Sequence, residues 1–391
     1  MPRSVSEIRK DFPQISDDFV YFDNAATTFK PQSVIDAMTH FYESKNANVH
    51  RGIYDLSEEA TELYENARTI VRQFVGADDS YEVVFVRNTT EAINLVARGL
   101  DYKVVILGGR EHHSNLLPWL QNENIIIHQA DANNDILKHP KLSTKADILA
   151  ISAWSNVLGK ETRLNEILDN SNDYCRIRLV DAAQWVANEK ISMNNIDLLA
   201  FSGHKMYGPM GIGVLVAKKD LLEKMRPLYW GGEMVDAVHR ATNSNWHHTS
   251  IKAQMADIPQ RFEAGTPNVA GVAGLVAAIE WIQKNGYFSD EKIALYEYAR
   301  NKMHEIPHIN VLPGNDIICF TIDGVHPHDV AQLLNEDKIY VRSGFHCAQP
   351  LLEELGYGPV VRVSLACYNT KSEVDRLIAA LKKVRKKMGI E

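Results

Sequence analysis

Six short apolar runs recur between residues 82 and 201, and each ends in a polar or glycine-containing turn. Runs that are apolar throughout are typical of strands buried on both faces of a sheet. Helix-like spacing of apolar residues separates several of them, which predicts a mainly parallel sheet covered by helices on both sides. The predicted strands are 82–86, 103–107, 125–129, 147–152, 176–180 and 196–201.

Helical spacing also appears outside this region of the chain. It predicts helices at 31–44, 57–74 and 269–281. Strand–helix–strand segments follow the last of these and include predicted strands at 317–322 and 339–342. The change of pattern predicts a second, smaller α+β domain after the large α/β domain.

Polar residues with catalytic potential follow the predicted strands directly. The carboxyl ends of parallel strands meet at one edge of a sheet, and open α/β sheets bind their ligands at that edge. The sequence therefore predicts one ligand site there. The residues expected at it are Thr89, Thr90, His112, Asn156, Asp181, Gln184 and Lys205.

Lys205 lies in a glycine-rich turn between the predicted strand 196–201 and the apolar run 214–217. A lysine held between two buried strands is partly desolvated, so its pKa falls and its amine becomes a usable nucleophile. From this stretch alone, a surface lysine in a loop is the commoner interpretation. The residues around Lys205 decide whether it is a candidate to form a Schiff base.

A pyridoxal phosphate site needs four kinds of group besides the lysine. They are a carboxylate beside the ring nitrogen, a donor near the phenolic oxygen, an imidazole or aromatic face, and a phosphate seat. Taken singly, an aspartate such as Asp181 is more often a helix cap, and a histidine such as His112 is more often a buried histidine with satisfied hydrogen bonds. Together they point to pyridoxal 5'-phosphate. The matching residues are Asp181, Gln184, His112, the pair Thr89 and Thr90, and the additional phosphate contacts Ser202 and His204.

Composition narrows the classes of function. The chain has 391 residues, of which 45% are hydrophobic and 24% charged, as in average soluble globular proteins. A net charge of -8 argues against nucleic acid binding. No stretch has the pattern of a signal peptide or the length of a membrane span, so we expect a cytoplasmic protein without a membrane partner.

The four cysteines are scattered and form no CxxC pair, so each is expected to be a free thiol. A lone cysteine is most often a small buried hydrophobe. Cys347, however, follows the predicted strand 339–342 in a loop that also contains His346, and cations near it would favour the thiolate. Cys347 is therefore a candidate nucleophile, whereas Cys175, Cys319 and Cys367 are expected to be buried.

Several motifs, in order along nearly the whole chain, resemble the pyridoxal-phosphate-dependent cysteine desulfurases of the class V aminotransferase superfamily. The resemblance is to the group with the Suf-type and selenocysteine lyase-like enzymes. The motifs are Phe22-Asp-Asn-Ala-Ala-Thr-Thr, Asn48-Val-His-Arg-Gly, Arg87-Asn-Thr-Thr-Glu-Ala-Ile-Asn-Leu-Val-Ala, Glu111-His-His-Ser-Asn-Leu-Leu-Pro-Trp, Ser155-Asn-Val-Leu-Gly, Phe201-Ser-Gly-His-Lys-Met-Tyr-Gly-Pro, Phe262-Glu-Ala-Gly-Thr-Pro-Asn and Arg342-Ser-Gly-Phe-His-Cys-Ala-Gln-Pro.

The resemblance implies an α/β protein with the fold type I architecture of pyridoxal-phosphate-dependent transferases. A large cofactor-binding domain, 19–282, would contain a mainly parallel seven-stranded sheet. A small C-terminal α+β domain, 283–391, would carry the cysteine loop, and the N-terminal segment 1–18 would pack with it. The chain would form a homodimer.

The resemblance also implies a role for each candidate residue. Lys205 would hold the cofactor and move the α-proton, and His112 would stack on the ring and assist proton transfer. Asp181 would pair with the ring nitrogen, and Gln184 would face the phenolic oxygen. The phosphate contacts would be Thr89, Thr90, Ser202 and His204, with Thr266 from the partner subunit.

For the substrate, the resemblance implies that L-cysteine, or selenocysteine, binds near Asn156. Arg362 would clamp its carboxylate, and Arg342 would lie beside the catalytic loop in the same pocket. Cys347 would take the sulfur as a persulfide, leaving L-alanine. The short form of the cysteine loop implies a dedicated Suf-type sulfur acceptor protein for Fe–S cluster or sulfur-cofactor assembly.

Three positions depart from the family pattern: Ala182, the pair Ala153-Trp154, and Phe345. They affect the pocket rather than a catalytic group, so a selenocysteine lyase or a cysteine sulfinate desulfinase remains an alternative. A metal hydrolase would have to bind its metal through the histidine-containing segments 111–113 and 247–248. Neither segment has the HExxH spacing of a zinc hydrolase. A non-enzymatic scaffold that has lost its cofactor is also disfavoured, because Lys205 and Asp181 of the predicted cofactor site are both present.

Overall fold

The computed structural model describes residues 3–121, 123–134, 145–161, 163–241 and 250–390. The polar segment 243–249, predicted as an exposed loop, lies outside the described residues.

Helices and strands are interspersed along the described part of the chain. The helices are α1 (Val5–Arg9), α2 (Gln32–His40), α3 (Asp55–Val75), α4 (Thr89–Gly99), α5 (Leu164–Asn170), α6 (Lys219–Lys224), α7 (Val269–Asn285), α8 (Ser289–His304), α9 (Pro327–Glu336), α10 (Gln349–Glu354) and α11 (Lys371–Lys387). The strands are β1 (Val20–Tyr21), β2 (Tyr81–Val86), β3 (Val104–Leu107), β4 (Ile126–Gln129), β5 (Ala146–Ser152), β6 (Trp154–Ser155), β7 (Gly159–Lys160), β8 (Cys175–Asp181), β9 (Leu198–Ser202), β10 (Gly213–Lys218), β11 (Val235–Ala241), β12 (Ser250–Met255), β13 (Ile309–Val311), β14 (Ile318–Ile322), β15 (Ile339–Tyr340), β16 (Arg342–Gly344) and β17 (Val360–Val363).

A seven-stranded sheet with the order β2-β10-β9-β8-β5-β3-β4 forms the centre of the molecule. The strand β10 runs antiparallel to both its neighbours, and the other pairs are parallel. The α/β class and the mainly parallel seven-stranded sheet are confirmed. Separate apolar clusters cover its two faces, one with α3 and α7 and the other with α4.

A four-stranded antiparallel sheet, β13-β14-β17-β16, packs with α8, α9 and α11 around a further apolar core. The predicted boundary between residues 282 and 283 lies within α7, and the domain division stays a prediction. Arg9 in α1 donates to Tyr368 O at 2.8 Å and to Glu373 Oε1 at 2.7 Å, which joins the N-terminal segment to the start of α11.

Two features differ from the pattern-based expectation. The predicted strand 339–342 is divided: β15 pairs in parallel with β1, whereas β16 joins the four-stranded sheet. The ribbon of β11 and β12 was not predicted. It exposes apolar residues such as Val238 and Ile251, so burial does not impose a regular apolar alternation on it.

No helix within the described ranges combines the length and apolarity needed to cross a membrane.

The buried ion pair of Arg68 and Glu263 ties α3 to the loop before α7. Arg68 donates to both oxygens of Glu263, at 2.7 and 2.8 Å, and is only 5% exposed. Glu263 Oε1 also accepts from Phe85 N at 2.7 Å. Removing only the cation would leave a buried carboxylate without its charge partner.

We therefore expect Arg68→Met to reduce the free energy of unfolding in urea by about 3–5 kcal/mol. Arg72→Met is the matched control, because Arg72 lies on the same helix as Arg68 and pairs with the exposed Asp79. It should change stability by less than about 1 kcal/mol. Equal losses in the two variants would contradict a special role for the buried pair.

Candidate active site

The predicted strand-end residues line one pocket of about 280 Å³ at the carboxyl edge of the central sheet. The four-stranded sheet contributes the opposite wall. All the predicted site residues except Thr266 line this pocket: Thr89, Thr90, His112, Asn156, Asp181, Gln184, Ser202, His204, Lys205, Arg342, Cys347 and Arg362.

Lys205 ends a short 3-10 turn, Gly203–Lys205, that directly follows β9. Gly203 N donates to Ile212 O at 2.9 Å, which closes the turn against the start of β10. At Gly213 a Cβ atom would lie 2.6 Å from the Asn88 Cα, so only glycine lets these two backbones approach so closely. Burial lowers the pKa of Lys205, and Asp181 offsets part of that shift, which brings the amine closer to its neutral, basic form.

Asp181 ends β8 and is buried at 5% exposure. Its Oδ1 accepts from Ala183 N at 2.8 Å, and burial raises its pKa. Among the described residues, no Lys, Arg or His nitrogen lies within ion-pair distance of this carboxylate. The neighbouring Gln184 donates from Nε2 to Ala25 O at 2.7 Å.

His112 follows β3 and has a neutral ring. Burial, followed in size by the charge of Lys205, lowers its pKa to about 3. Its Nδ1 accepts from Ser114 N at 3.0 Å, which assigns the remaining proton to Nε2. A neutral imidazole in this place can stack on an aromatic ring and exchange a proton through Nε2.

Hydroxyl groups gather at the first turn of α4. Thr89 N and Thr89 Oγ1 lie 2.8 and 2.7 Å from Ser202 Oγ, and Thr90 Oγ1 lies 2.7 Å from Ser114 Oγ. Asn88 caps the helix by accepting from Glu91 N at 2.9 Å. Because Asn88 does the capping, the threonine hydroxyls stay available to an anion at the positive end of the helix.

His204, also beside this cluster, has a pKa lowered to about 4, mainly by burial.

Arg362 and Arg342 come from the four-stranded sheet and share one carboxylate. Arg362 Nη2 donates to Asp23 Oδ1 at 3.0 Å, and Arg342 Nε donates to Asp23 Oδ2 at 3.1 Å. Arg362 is 2% exposed, and Nη1 donates to Asn156 O at 3.1 Å. The buried Arg362 Nε and Asn156 Oδ1 have no hydrogen-bond partner in the described part of the chain. Sequence analysis did not assign Asp23 a role, although it lies in the first of the quoted motifs.

The loop after β16 presents Cys347 to the pocket. His346 and Cys347 adopt left-handed conformations, with φ of 51° and 54°. Cys347 O accepts from His113 N at 2.8 Å, and His346 O accepts from Asn156 Nδ2 at 2.6 Å. Burial lowers the pKa of His346 to about 3, so its ring is neutral. The cations on that side of the pocket are Arg342 and Arg362.

Thr266 lies outside this pocket, in a second cavity of about 350 Å³ beside Tyr64 and Tyr229. Its assignment to the partner subunit's site stays a prediction. His247 and His248, which the hydrolase alternative needs, lie outside the described residues. The residues that are described contain no group of three or more potential metal ligands. Glu111 is instead bonded to Ser152 and Asn115.

Residues 20–377 match the aminotransferase class-V family. This chain belongs to that family. It is 39% identical to a probable cysteine desulfurase from Halalkalibacterium halodurans, over 98% of both chains. Its fold is similar to that of an apo cysteine desulfurase from Thermococcus onnurineus, with a TM-score of 0.89, 32% identity and 99% of both chains covered. For the S-sulfonic acid form of the cysteine desulfurase CsdA from Escherichia coli, the TM-score is 0.84 and the identity 35%, covering 98% of this chain and 99% of the other.

The family depends on pyridoxal phosphate, and the pocket residues fit that group. A buried carboxylate without a basic partner, Asp181, suits a protonated ring nitrogen. The hydroxyls at the start of α4 suit a phosphate. Lys205, whose pKa is lowered, suits a carbonyl carbon. The unpartnered Arg362 Nε and Asn156 Oδ1 are left for a substrate.

The four thiols differ sharply in their surroundings. Cys347 is exposed, whereas Cys175, Cys319 and Cys367 are buried. Burial raises the pKa of Cys175 to about 11 and those of Cys319 and Cys367 to about 12. Protonated, inaccessible thiols react slowly with thiol reagents.

We expect the native protein to react with one equivalent of a disulfide reagent such as Ellman's reagent, and the denatured protein with four. Native Cys347→Ser should react with none. More than one fast-reacting thiol in the native protein would contradict the assigned burial.

Proposed function

We propose that this protein is a pyridoxal-phosphate-dependent cysteine desulfurase. It would remove sulfur from L-cysteine, giving L-alanine and a persulfide on Cys347. The observation that carries this proposal is that an exposed cysteine, Cys347, lines the same pocket as Lys205 and the buried Arg362. The names of the full-length relatives support the same activity.

Substrate binding depends on Arg362 and Asn156. The guanidinium of Arg362 is fixed by Asp23 and by Asn156 O, and its free Nε can donate to the substrate carboxylate. Asn156 Oδ1 can accept from the substrate. These contacts orient the thiol side of the substrate towards the Cys347 loop, which Asn156 also holds through His346 O.

Proton transfer depends on Lys205 and His112. When bound, the cofactor supplies an electron sink for the bond broken at the α-carbon. Lys205 Nζ can take the α-proton because burial favours its neutral form. His112, with its proton on Nε2, can exchange a second proton during the reaction. Cys347 Sγ then bonds to the substrate sulfur, and the carbon–sulfur bond breaks.

The partner relations belong to the same proposal. Thr266 lies outside its own chain's pocket, which agrees with a homodimer in which it reaches the partner subunit's phosphate. The persulfide would pass to a Suf-type acceptor protein in the cytoplasm for Fe–S cluster or sulfur-cofactor assembly.

The first test is the wild-type protein with pyridoxal phosphate. We expect a visible absorption band and the release of alanine from cysteine. Faster turnover of selenocysteine or of cysteine sulfinate would favour a lyase or a desulfinase instead. A protein that gains no band and produces no alanine would contradict the proposal.

Cys347→Ser tests the sulfur-accepting group. It should keep the absorption band, because Lys205 and Asp181 are untouched, and lose persulfide formation and alanine release by about 100-fold or more. Lys205→Ala should lose the band itself. A Cys347→Ser variant that still carries a persulfide after exposure to cysteine would contradict the role of Cys347.

Arg362→Lys tests the carboxylate clamp. A lysine keeps the charge but not the planar fork, so we expect kcat/KM for cysteine to fall by about 10- to 100-fold. Arg376→Lys, an exposed change in α11, is the control and should leave kcat/KM unchanged. An unchanged kcat/KM in Arg362→Lys would contradict a contact between the Arg362 guanidinium and the substrate carboxylate.

A further inference from the structure

A third cavity, of about 250 Å³, lies behind the candidate active site, between α8 and the turn segment after β8. Its walls include Trp154, Asn188, Lys292, Tyr296 and Asp316. A space of about 30 Å³ separates it from the pocket and is lined by Gln184 and Lys205 as well as by Asn188 and Tyr296. The predicted cofactor residues Gln184 and Lys205 thus lie between the pocket and this small space, which borders the larger cavity at Asn188 and Tyr296.

Lys292 is a buried cation that the proposed reaction does not use. It is 6% exposed and lies in the first turn of α8. Its Nζ donates to Asn188 Oδ1 at 2.6 Å and to Ala187 O at 3.5 Å. Burial lowers its pKa to about 8, and the charges of Asp316 and Glu189 partly offset this shift. A buried lysine is costly, so a position that keeps one calls for a physical reason.

Asn188 is the residue that Lys292 holds, and all four of its polar groups are bonded. Its backbone N–H donates to Trp185 O at 2.8 Å, and its carbonyl accepts from Ser289 Oγ at 2.8 Å. The side chain accepts from Lys292 and donates from Nδ2 to Gln184 O at 2.5 Å. Lys292 and Ser289, both in α8, thus fix Asn188, and Asn188 fixes the backbone of Gln184.

The segment 182–189 contains turns but no helix or strand. Its start is anchored by β8 at Asp181, and Gln184 reaches Ala25 O through its side chain. The far end is fixed by Asn188. Without the contacts from α8, this end would keep the ion pair of Glu189 with Lys160 and local turn bonds such as Asn188 N to Trp185 O, but Asn188 itself would lose its contacts to α8.

We propose that Lys292 is a positioning residue that holds Gln184 in place through Asn188 and so couples helix α8 to the cofactor site. The consequence for the cofactor rests on the proposed function, in which Gln184 faces the phenolic oxygen. The inference that Lys292 holds the segment 182–189 in place does not depend on the proposed function.

The experiment is amide hydrogen exchange of the holoenzyme, followed by mass spectrometry, in wild type and Lys292→Met. Losing a buried, charged hydrogen-bond donor should make opening of the segment 182–189 about tenfold faster. The bound cofactor's visible band should shift in wavelength or in its pH midpoint. Lys302→Met, a surface lysine of the same helix paired with Glu305, should change neither measurement.

Asn188→Asp separates the contact between Lys292 and Asn188 from the contact between Asn188 and Gln184 O. It keeps an acceptor for Lys292 but replaces the donor to Gln184 O with an acceptor. We expect the same local increase in exchange with Lys292 still in place, because the contact that reaches Gln184 O is the one removed. This variant also tests the inference if Lys292→Met fails to fold.

Unchanged exchange in 182–189, or an equal increase throughout the protein, would overturn the inference, because the second result is ordinary destabilisation. Faster local exchange with an unaltered cofactor band would overturn the coupling to the cofactor site. If wild type binds no cofactor, the proposed function fails, whereas the exchange comparison on the same protein still decides whether Lys292 holds the segment.

Discussion

Burial of the reactive side chains at the carboxyl edge of the sheet is the constraint on which the candidate site depends. Burial favours the neutral forms of Lys205 and His112 and opposes ionisation of Asp181. A basic amine and a neutral imidazole can then coexist in one pocket. The group that must stay charged, Arg362, is a guanidinium, the kind of cation that suits a buried ion pair. The choice of residue types therefore follows from burial as much as from chemistry.

Asp23 makes this arrangement possible, because it balances the two guanidinium groups. It follows β1, which pairs in parallel with β15, and β15 leads directly to Arg342. The same short pairing therefore sets the position of the carboxylate and of one of its arginines. Arg362, from the neighbouring β17, completes the contact. The strand β1 and Asp23, which follows it, thus fix the position of the four-stranded sheet relative to the pocket.

Local pattern was sufficient for much of this fold. Continuous apolar runs specify buried strands, and the rule that ligands bind at their carboxyl ends was enough to group residues from Thr89 to Lys205 in one pocket. Contacts between residues that are far apart in the sequence could not be predicted from local pattern. Asp23 meets Arg362 across 339 positions, and Lys292 meets Asn188 across 104. Burial of His346 was equally hidden, because nothing in its neighbours along the chain indicates that its ring lies under Val360 O.

The cysteine loop is held in a conformation that its sequence does not favour. Left-handed backbone at a residue other than glycine costs about 1–3 kcal/mol, and His346 and Cys347 both adopt it. Contacts from His113 N, Asn156 Nδ2 and Val360 O offset that cost, since each hydrogen bond contributes about 1 kcal/mol. All three act on the backbone or on the His346 ring, so the thiol stays exposed while the loop around it is fixed. Under the proposed function, these contacts favour a loop that stays in place, so that an acceptor would come to the pocket entrance to collect the sulfur from Cys347.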